Sequence, residues 1–258
     1  MYLKTEKISR RLMVFVAFVL LCTAKVAAQT AGNDLTTAFG AHQLMVVLTS
    51  DWDNLQGKIY GFQKVDDKWV LQFSNPVVVG SKGLGVGDGL TPISIDGAPI
   101  KKEGDKKSPA GIFSIGTAFG YAEKKDAAWI KNRYVRAVDT LICVDDSHST
   151  NYNVLVNKDT AKKDYNSFEY MHRKDDHYKW GLFVNHNSGK VTPGDGSCIF
   201  MHIWKNDREG TDGCTAMKED DILNVLRWID VKDKPILVQL PKEEYDKLRA
   251  TYGLPVIK

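Results

Sequence analysis

The sequence lacks several features that would assign it to common functional classes. Its four cysteines include no Cys-x-x-Cys pair, which argues against a structural zinc site, so no metal and no cofactor is expected. The formal net charge is only +3, and lysines alternate with acids along the chain, so no basic stripe indicates nucleic-acid binding. The glycine-rich segment 79–89 has no Gly-Lys-Ser/Thr ending, which excludes a Walker phosphate loop and predicts a flexible surface loop instead.

The apolar run at the amino end is too short to span a bilayer comfortably. It covers about ten residues, 12–21, behind a basic lead, and Val26-Ala27-Ala28 follows as a small-residue cleavage site. This pattern predicts a signal peptide over residues 1–28. The mature protein would then be exported to the periplasm or cell envelope, with no stable membrane span; an uncleaved anchor is the alternative.

The remaining residues, 29–258, are long enough to bury a full core. We expect a single domain that is mainly β with a few helices, with its core at about residues 44–240. Apolar and alternating runs between turn signals predict the strands. These fall at 44–49, 57–65, 68–73, 112–117, 135–144, 153–156, 182–186, 198–204 and 235–240, and the second and third form a hairpin across Asp66-Asp67.

Two helices are predicted near the carboxyl end. Ile222, Val225, Leu226 and Ile229 recur at helical spacing and form an apolar stripe of the kind that packs on a sheet. A second helical pattern over residues 242–250 predicts a surface extension at the end of the chain.

One histidine and one cysteine stand out as candidate catalytic groups. His202 ends an apolar strand pattern, and Cys214 follows 12 positions later, directly after Gly213. A cysteine attacks as a thiolate and needs a base, which a nearby imidazole supplies. The N–H groups of Gly213 and Cys214 are candidate donors for an oxyanion hole.

Removal of the leader leaves Cys143, Cys198 and Cys214, an odd number for an oxidising compartment. A Cys143–Cys198 disulfide would leave Cys214 free, but two inert buried thiols are an open alternative. If 198–204 is one strand, Cys198 lies about 13 Å along it from His202, too far for a direct hydrogen bond. Cys198 is therefore a poor rival nucleophile.

Two blocks of sequence resemble a known family, the YkuD-like L,D-transpeptidases, in the branch labelled ErfK/YbiS/YcfS/YnhG. The first block includes Ser108-Pro109-Ala110-Gly111, similar to the family's Ser/Thr-Pro-x-Gly segment. The second joins the His202 strand to Thr211-Asp212-Gly213-Cys214, similar to the family's histidine strand and Gly-Cys loop, and Val184-Asn185-His186-Asn187 between the blocks also resembles that branch.

The resemblance implies a mixed β-sandwich that acts on peptidoglycan stem peptides through a Cys214 thioacyl-enzyme, with His202 as the base. Such an enzyme forms cross-links or exchanges the terminal D-amino acid. A carboxypeptidase or murein-trimming hydrolase would use the same residues, and a non-catalytic cell-wall binding module is a further alternative. The resemblance also suggests that the Ile203 carbonyl holds the imidazole in its useful tautomer.

The chain departs from the commoner family pattern beside the cysteine. Ala216 stands where many members carry an arginine, which puts recognition of a substrate carboxylate in doubt. Arg208, in the same loop, is a candidate replacement because guanidinium binds carboxylate with two parallel hydrogen bonds. Thr211, His186 and Tyr152 are further candidates for substrate contact, although a structural role for His186 is an open alternative.

Overall fold

A computed structural model describes residues 34–258, and the predicted signal peptide lies outside them. These residues divide into two compact units. The larger unit comprises residues 41–247 and contains every strand; the smaller comprises residues 34–40 together with 248–258. In the smaller unit Asp34 caps the first helix, accepting from the Thr36 N–H at 2.9 Å, and the Leu35 N–H donates to the Tyr252 carbonyl at 3.2 Å.

The described residues are mainly β with three α-helices, which confirms the predicted fold class. The helices are α1 (Leu35–Phe39), α2 (Glu219–Trp228) and α3 (Lys242–Leu248), with a 3-10 turn at Val231–Asp233. None of these helices is long and apolar enough to cross a membrane. The strands are β1 (Gln43–Thr49), β2 (Gln56–Val65), β3 (Lys68–Val78), β4 (Leu84–Val86), β5 (Ser108–Gly120), β6 (Tyr134–Arg136), β7 (Leu141–Val144), β8 (Leu155–Asn157), β9 (Phe168–Tyr170), β10 (Trp180–Val184), β11 (Phe200–Ile203), β12 (Thr215–Met217) and β13 (Ile236–Pro241).

The larger unit is built on a mixed ten-stranded sheet. Its order is β10-β11-β12-β3-β2-β1-β13-β5-β4, with β6 beside β5. Because β10 also pairs with β5, the strand order closes on itself. The long strand β5 makes this possible, since it pairs with β13 along its first half and with β10 along its second.

The centre of this sheet is apolar on both faces. All residues of β1 and β13 are buried, and these strands run parallel with Leu44 opposite Ile236. A strand covered on both sides has a continuous apolar run rather than an alternating one, as the sequence of β1 has. The predicted hairpin is also present: Asp66 and Asp67 both have positive φ, at 44° and 61°, as a two-residue type I′ turn requires.

Two predictions for the remaining segments were wrong. The glycine-rich segment 79–89 is not simply a surface loop, because it contains β4, which pairs with β5, and Leu84 is fully buried. Gly83 there has φ of 75°, and an added Cβ would lie 2.0 Å from the Trp52 carbonyl oxygen. The predicted strand 135–144 is two strands, β6 and β7, that belong to different sheets.

A smaller three-stranded sheet, β8-β7-β9, stands apart from the main sheet. Its strand β7 carries Cys143, and its strand β9, which sequence patterns missed, carries Glu169 directly opposite. Helix α2 packs on β10 and β11 of the main sheet through buried Ile222, Val225 and Leu226, as its apolar stripe predicted.

Candidate active site

Cys214 lies at the end of a tight turn that leads directly into β12. Gly213 before it has φ of 149°, a conformation that side-chain-bearing residues rarely adopt. The Thr211 hydroxyl closes the turn, accepting from the Gly213 N–H at 3.1 Å and donating to the Cys214 carbonyl at 2.6 Å. The buried Ser108 hydroxyl on β5 donates to the same carbonyl at 2.7 Å. Two side-chain hydroxyls therefore fix the backbone of the cysteine.

The strand after the cysteine brings it beside the histidine. β12 pairs in parallel with β11, and the register sets Met201 opposite Thr215 and His202 opposite Ala216. Sequence reasoning missed β12, which is only three residues long. Helix α2 begins only after β12, at Glu219. Because the effect of a helix dipole is confined to about the first turn, it contributes little at the Cys214 thiol.

Cys214 is 7% exposed. Its thiol forms hydrogen bonds with two backbone groups, one in the loop before β11 and one on the first residue of β11. Its sulfur accepts from the Phe200 N–H at 3.3 Å, and its S–H donates to the Cys198 carbonyl at 3.6 Å. Burial raises the pKa of this thiol well above its ordinary value, the Glu169 carboxylate raises it further, and the Phe200 N–H opposes the shift. The thiol is therefore protonated at neutral pH.

The His202 imidazole is held in one tautomer. Its Nδ1–H donates to the Ile203 carbonyl at 2.8 Å, the partner expected from the sequence, which leaves Nε2 unprotonated and able to accept a proton. Burial lowers the pKa of His202 to about 4, so the ring is neutral at pH 7. The Tyr178 ring packs edge-on against it, with centroids 5.1 Å apart.

Cys214 and His202 line one cleft, whose volume is about 530 Å³. This volume lies in the range of small-molecule and peptide sites. The charged and polar residues that line the cleft with them are Lys101, Glu103, Asp145, Glu169, Arg173, His177, Tyr178, Ser197, Lys205, Glu209, Thr211 and Asp212. A thiol, a neutral imidazole that can take its proton to give the thiolate, and a cleft that both residues line are the parts that nucleophilic acyl chemistry requires.

Cys143 and Cys198 form a disulfide, with Cα atoms 6.0 Å apart, and Cys214 is the free cysteine among the described residues. This resolves the alternative left open by the sequence. The expectation that residues 198–204 form one strand was wrong at both ends. β11 covers only Phe200–Ile203, and Cys198 has φ of 54°, so it does not share a face with His202 by strand parity.

The structure changes the candidate oxyanion hole. Gly213 was expected to contribute its N–H, but that group already donates to Thr211 Oγ1. The Cys214 N–H is the remaining amide of the pair. Thr211 lines the cleft, yet both hydrogen bonds of its hydroxyl go to the backbone of the turn, so the structure gives it a role in shaping the turn.

Arg208 was expected to bind a substrate carboxylate, and the structure does not place it in the cleft. Its side chain is 89% exposed and pairs only loosely with its neighbour Asp207, at 3.8 Å. Lys205 and Glu209, which lie on either side of Arg208 in the same loop, do line the cleft. Arg208 lies in the turn between them, where its long side chain extends into solvent.

His186 and Tyr152 were also expected to touch substrate, and both are buried behind the cleft wall. His186 is 1% exposed, and its two ring nitrogens lie 3.1 Å from the Asp88 carbonyl and 2.9 Å from the Asp195 carbonyl. It links two loops, which is the structural alternative noted from the sequence. Tyr152 is 3% exposed and donates to Glu103, so it orients a cleft residue instead of contacting ligand.

Two of the cations that line the cleft with Cys214 and His202 were not expected from the sequence. The side chain of Lys101 is only 3% exposed, and its ammonium group lies 2.6 Å from Asp105. Arg173, from the charged run between β9 and β10, is 38% exposed and bonds Asp175 through two nitrogens, at 2.8 and 2.6 Å. Both supply positive charge to a site where Ala216 supplies none. The charged run that carries Arg173 is visible in the sequence, but nothing in the local sequence indicates that the Arg173 side chain points into the cleft.

No group of three or more His, Cys, Asp or Glu side chains within residues 34–258 has the arrangement of a metal site.

A β-rich scaffold that brings a Gly-Cys turn beside a strand-borne histidine defines a class of cysteine-dependent catalytic domains. The model of the L,D-transpeptidase catalytic domain family, YkuD, matches residues 62–238. This range includes both sequence blocks and the whole cleft, and the chain belongs to that family. The match does not distinguish branches within it.

Other comparisons add little. Among solved structures, Bd1075 of Bdellovibrio bacteriovorus is similar at 12% identity and a TM-score of 0.39, over 81% of this chain and 53% of that one. This chain therefore spans about half the length of that protein. A comparison with curated proteins finds no match.

Proposed function

We propose that the protein is an exported cysteine L,D-transpeptidase that acts on peptidoglycan stem peptides through a thioacyl-enzyme on Cys214. Family membership supports transpeptidase-type chemistry. The single observation that carries the mechanism is the presence of the free Cys214 thiol and the His202 imidazole in one cleft of about 530 Å³.

Acylation begins from a neutral pair. His202 Nε2 takes the thiol proton as Cys214 Sγ attacks the carbonyl that joins the third stem residue to the terminal D-alanine. The Cys214 N–H stabilises the oxyanion of the tetrahedral intermediate. When this intermediate collapses, the C–N bond breaks, His202 returns the proton to the leaving amine, and a thioester remains.

Deacylation reverses these roles. An amine from a second stem loses its proton to His202 and attacks the thioester, which forms an amide cross-link and regenerates the thiol. A free D-amino acid in its place gives exchange of the terminal residue, and water gives a carboxylate and a trimmed stem. The cleft residues named here serve all three outcomes, because each needs the same thioester and the same base.

The disulfide supports export. Cys143 and Cys198 are paired, and disulfides persist in oxidising compartments such as the periplasm. Together with the predicted signal peptide over residues 1–28, this favours the periplasm or cell envelope as the place of action.

Product analysis tests this proposal. Purified protein is incubated with disaccharide tetrapeptides, and the products are followed by mass spectrometry in the wild type and in the Cys214→Ala and His202→Ala variants. We expect cross-linked or exchanged products from the wild type and none from Cys214→Ala. Trimmed tripeptides alone would favour the carboxypeptidase alternative.

One observation favours a non-catalytic alternative, a cell-wall binding module. Cys214 is only 7% exposed, as an inert structural thiol would be. On that hypothesis Cys214→Ala keeps full binding to peptidoglycan sacculi, and the wild type leaves muropeptides unchanged. Sedimentation with purified sacculi, measured beside the product assay, separates the two functions.

A further inference from the structure

Glu169 links the small sheet to the catalytic pair. It lies on β9, opposite Cys143, and its side chain lines the same cleft as Cys214. Its Oε2 accepts a hydrogen bond from the Tyr178 hydroxyl at 2.6 Å. The mechanism described above assigns no role to this carboxyl group.

Tyr178 connects Glu169 with His202, because it bonds the first through its hydroxyl and contacts the second through its ring. It is 5% exposed, and its ring contacts His202 edge-on at 5.1 Å between centroids and Phe200 at 5.4 Å. The Arg173 guanidinium lies 5.0 Å from the ring centroid on its face. Anchored at its hydroxyl by Glu169 and packed along its ring, Tyr178 has little freedom, and the imidazole against it is fixed in turn.

The charge of Glu169 bears on the nucleophile. After burial, the Glu169 carboxylate is the largest influence on the pKa of Cys214, and it raises that pKa. Two negative charges in one buried site repel each other, so an ionised Glu169 opposes the Cys214 thiolate. Burial raises the pKa of Glu169 itself to about 7, which places its ionisation in the working range.

Several other charged groups surround Glu169, Cys214 and His202 and also influence their pKa values. Glu103 and Asp145 act on Glu169 in the same direction as burial, whereas Arg173 and the Tyr178 hydroxyl favour its charged form. Lys101 and Asp212 act on Cys214 with opposite signs. His177, Arg173 and Asp175 act on His202 from the loop between β9 and β10.

We propose that Glu169 is a positioning residue with a second, electrostatic role: it holds Tyr178 against His202, and its neutral form permits the Cys214 thiolate that its ionised form opposes. This inference rests on the proposed function for its meaning in turnover. Its electrostatic half concerns only the thiol and can be measured without any substrate.

The test measures alkylation of Cys214 by iodoacetamide between pH 5 and pH 9 in the full chain, with the Cys214 peptide quantified by mass spectrometry. Glu169→Gln keeps an acceptor for the Tyr178 hydroxyl but removes the charge. We expect alkylation roughly tenfold faster than wild type at pH 8.5, the effect of about one pKa unit, and equal to wild type below pH 6, where Glu169 is protonated.

One further variant tests the hydrogen bond between Glu169 and Tyr178, and another serves as a control. Tyr178→Phe keeps the ring against His202 but removes the hydrogen bond that favours the charged Glu169, so the pH at which Glu169 ionises moves upward. Glu243→Gln removes a carboxylate from a side chain that is 77% exposed on α3 and serves as the matched control, with an unchanged profile expected.

The outcomes are distinct from those of the proposed function. A Glu169→Gln profile that coincides with wild type at every pH, or that shifts by the same factor at every pH, overturns the electrostatic role. Unchanged muropeptide turnover in Glu169→Ala, which lacks both acceptor and charge, overturns the positioning role. Absence of turnover in the wild type contradicts the proposed function and leaves the alkylation result to be judged by itself.

Discussion

The S–H of Cys214 donates to the carbonyl of Cys198, 3.6 Å away, and Cys198 is itself bonded through its sulfur to Cys143. The backbone carbonyl that accepts the hydrogen bond of the Cys214 thiol is therefore tied to the small sheet by a covalent bond. Asn153 adds a second tie, because its Oδ1 accepts from the Cys198 N–H at 2.9 Å.

Loss of this disulfide is expected to weaken both stability and the site. The Cys143→Ser/Cys198→Ser double variant opens a loop of 55 residues. Because the unfolded chain then gains conformational entropy, we expect the free energy of unfolding to decrease by about 4 kcal/mol. Urea denaturation measures this decrease. Because Cys198 also positions the Cys214 thiol, muropeptide turnover falls as well at temperatures where the variant remains folded. Full turnover in a folded double variant contradicts this link.

Acid is expected to destabilise the protein through His202. The ordinary pKa of histidine is 6.5, and burial lowers that of His202 to about 4, so between these values the unfolded chain binds a proton that the folded chain does not. Stability therefore falls as pH drops from 6.5 to 4, by about 3 kcal/mol from this group.

The test compares the free energy of unfolding of the wild type and of His202→Asn at pH 7 and pH 4.5. The wild type should lose more on acidification, and the difference isolates His202 from other titrating groups, including Glu169. An equal loss in both proteins means that His202 does not titrate in this range.

The hydroxyl of Thr211 is expected to matter for catalysis because both of its hydrogen bonds go to the backbone of the turn that carries Cys214. Thr211→Val removes the acceptor of the Gly213 N–H and a donor to the Cys214 carbonyl, and we expect roughly tenfold lower turnover, about the effect of one misplaced hydrogen bond. Thr211→Ser keeps the hydroxyl and should restore most of the activity. A serine variant as impaired as the valine variant excludes the hydroxyl as the cause.

The two arginines near the cleft give opposite expectations. Arg173→Ala removes a cation that lines the cleft and should raise the KM for a carboxylate-bearing stem by roughly tenfold. Arg208→Ala removes a side chain that is 89% exposed and should leave kcat/KM within about twofold. Steady-state kinetics on both variants decides between them. The reverse ranking would restore Arg208 as the carboxylate ligand.

Local sequence patterns predicted the long elements and brought out the two side chains that we propose as catalytic. β1, the β2–β3 hairpin and α2 were predicted from the spacing of apolar residues and from turn residues, because these signals depend only on residues a few positions apart. His202 and Cys214 were recognisable because a strand-borne histidine, a turn glycine and a cysteine stand within 13 residues, 202–214. The strands that were missed, β4, β9 and β12, are three residues long and too short to show a period, and they form by pairing with longer neighbours.

The walls of the cleft were the part that sequence could not supply. Lys101, Glu169 and Arg173 come from segments far from Cys214 in sequence, and only tertiary contacts bring them to the same cleft. Arg208 was misplaced for a related reason, since proximity in sequence says nothing about the direction of a loop side chain. His186 and Tyr152 were similarly recognised as polar residues near the site, while their burial depended on tertiary packing.

The most direct test of the account is the intact mass of the protein after brief incubation with a disaccharide tetrapeptide and rapid acid quench. We predict an adduct with the mass of the disaccharide tripeptide acyl group, located on the Cys214 peptide, absent from Cys214→Ala and slow to form in His202→Ala. A wild type that releases transpeptidation products with no adduct at any quench time, or an adduct on another residue, would contradict the thioacyl-enzyme.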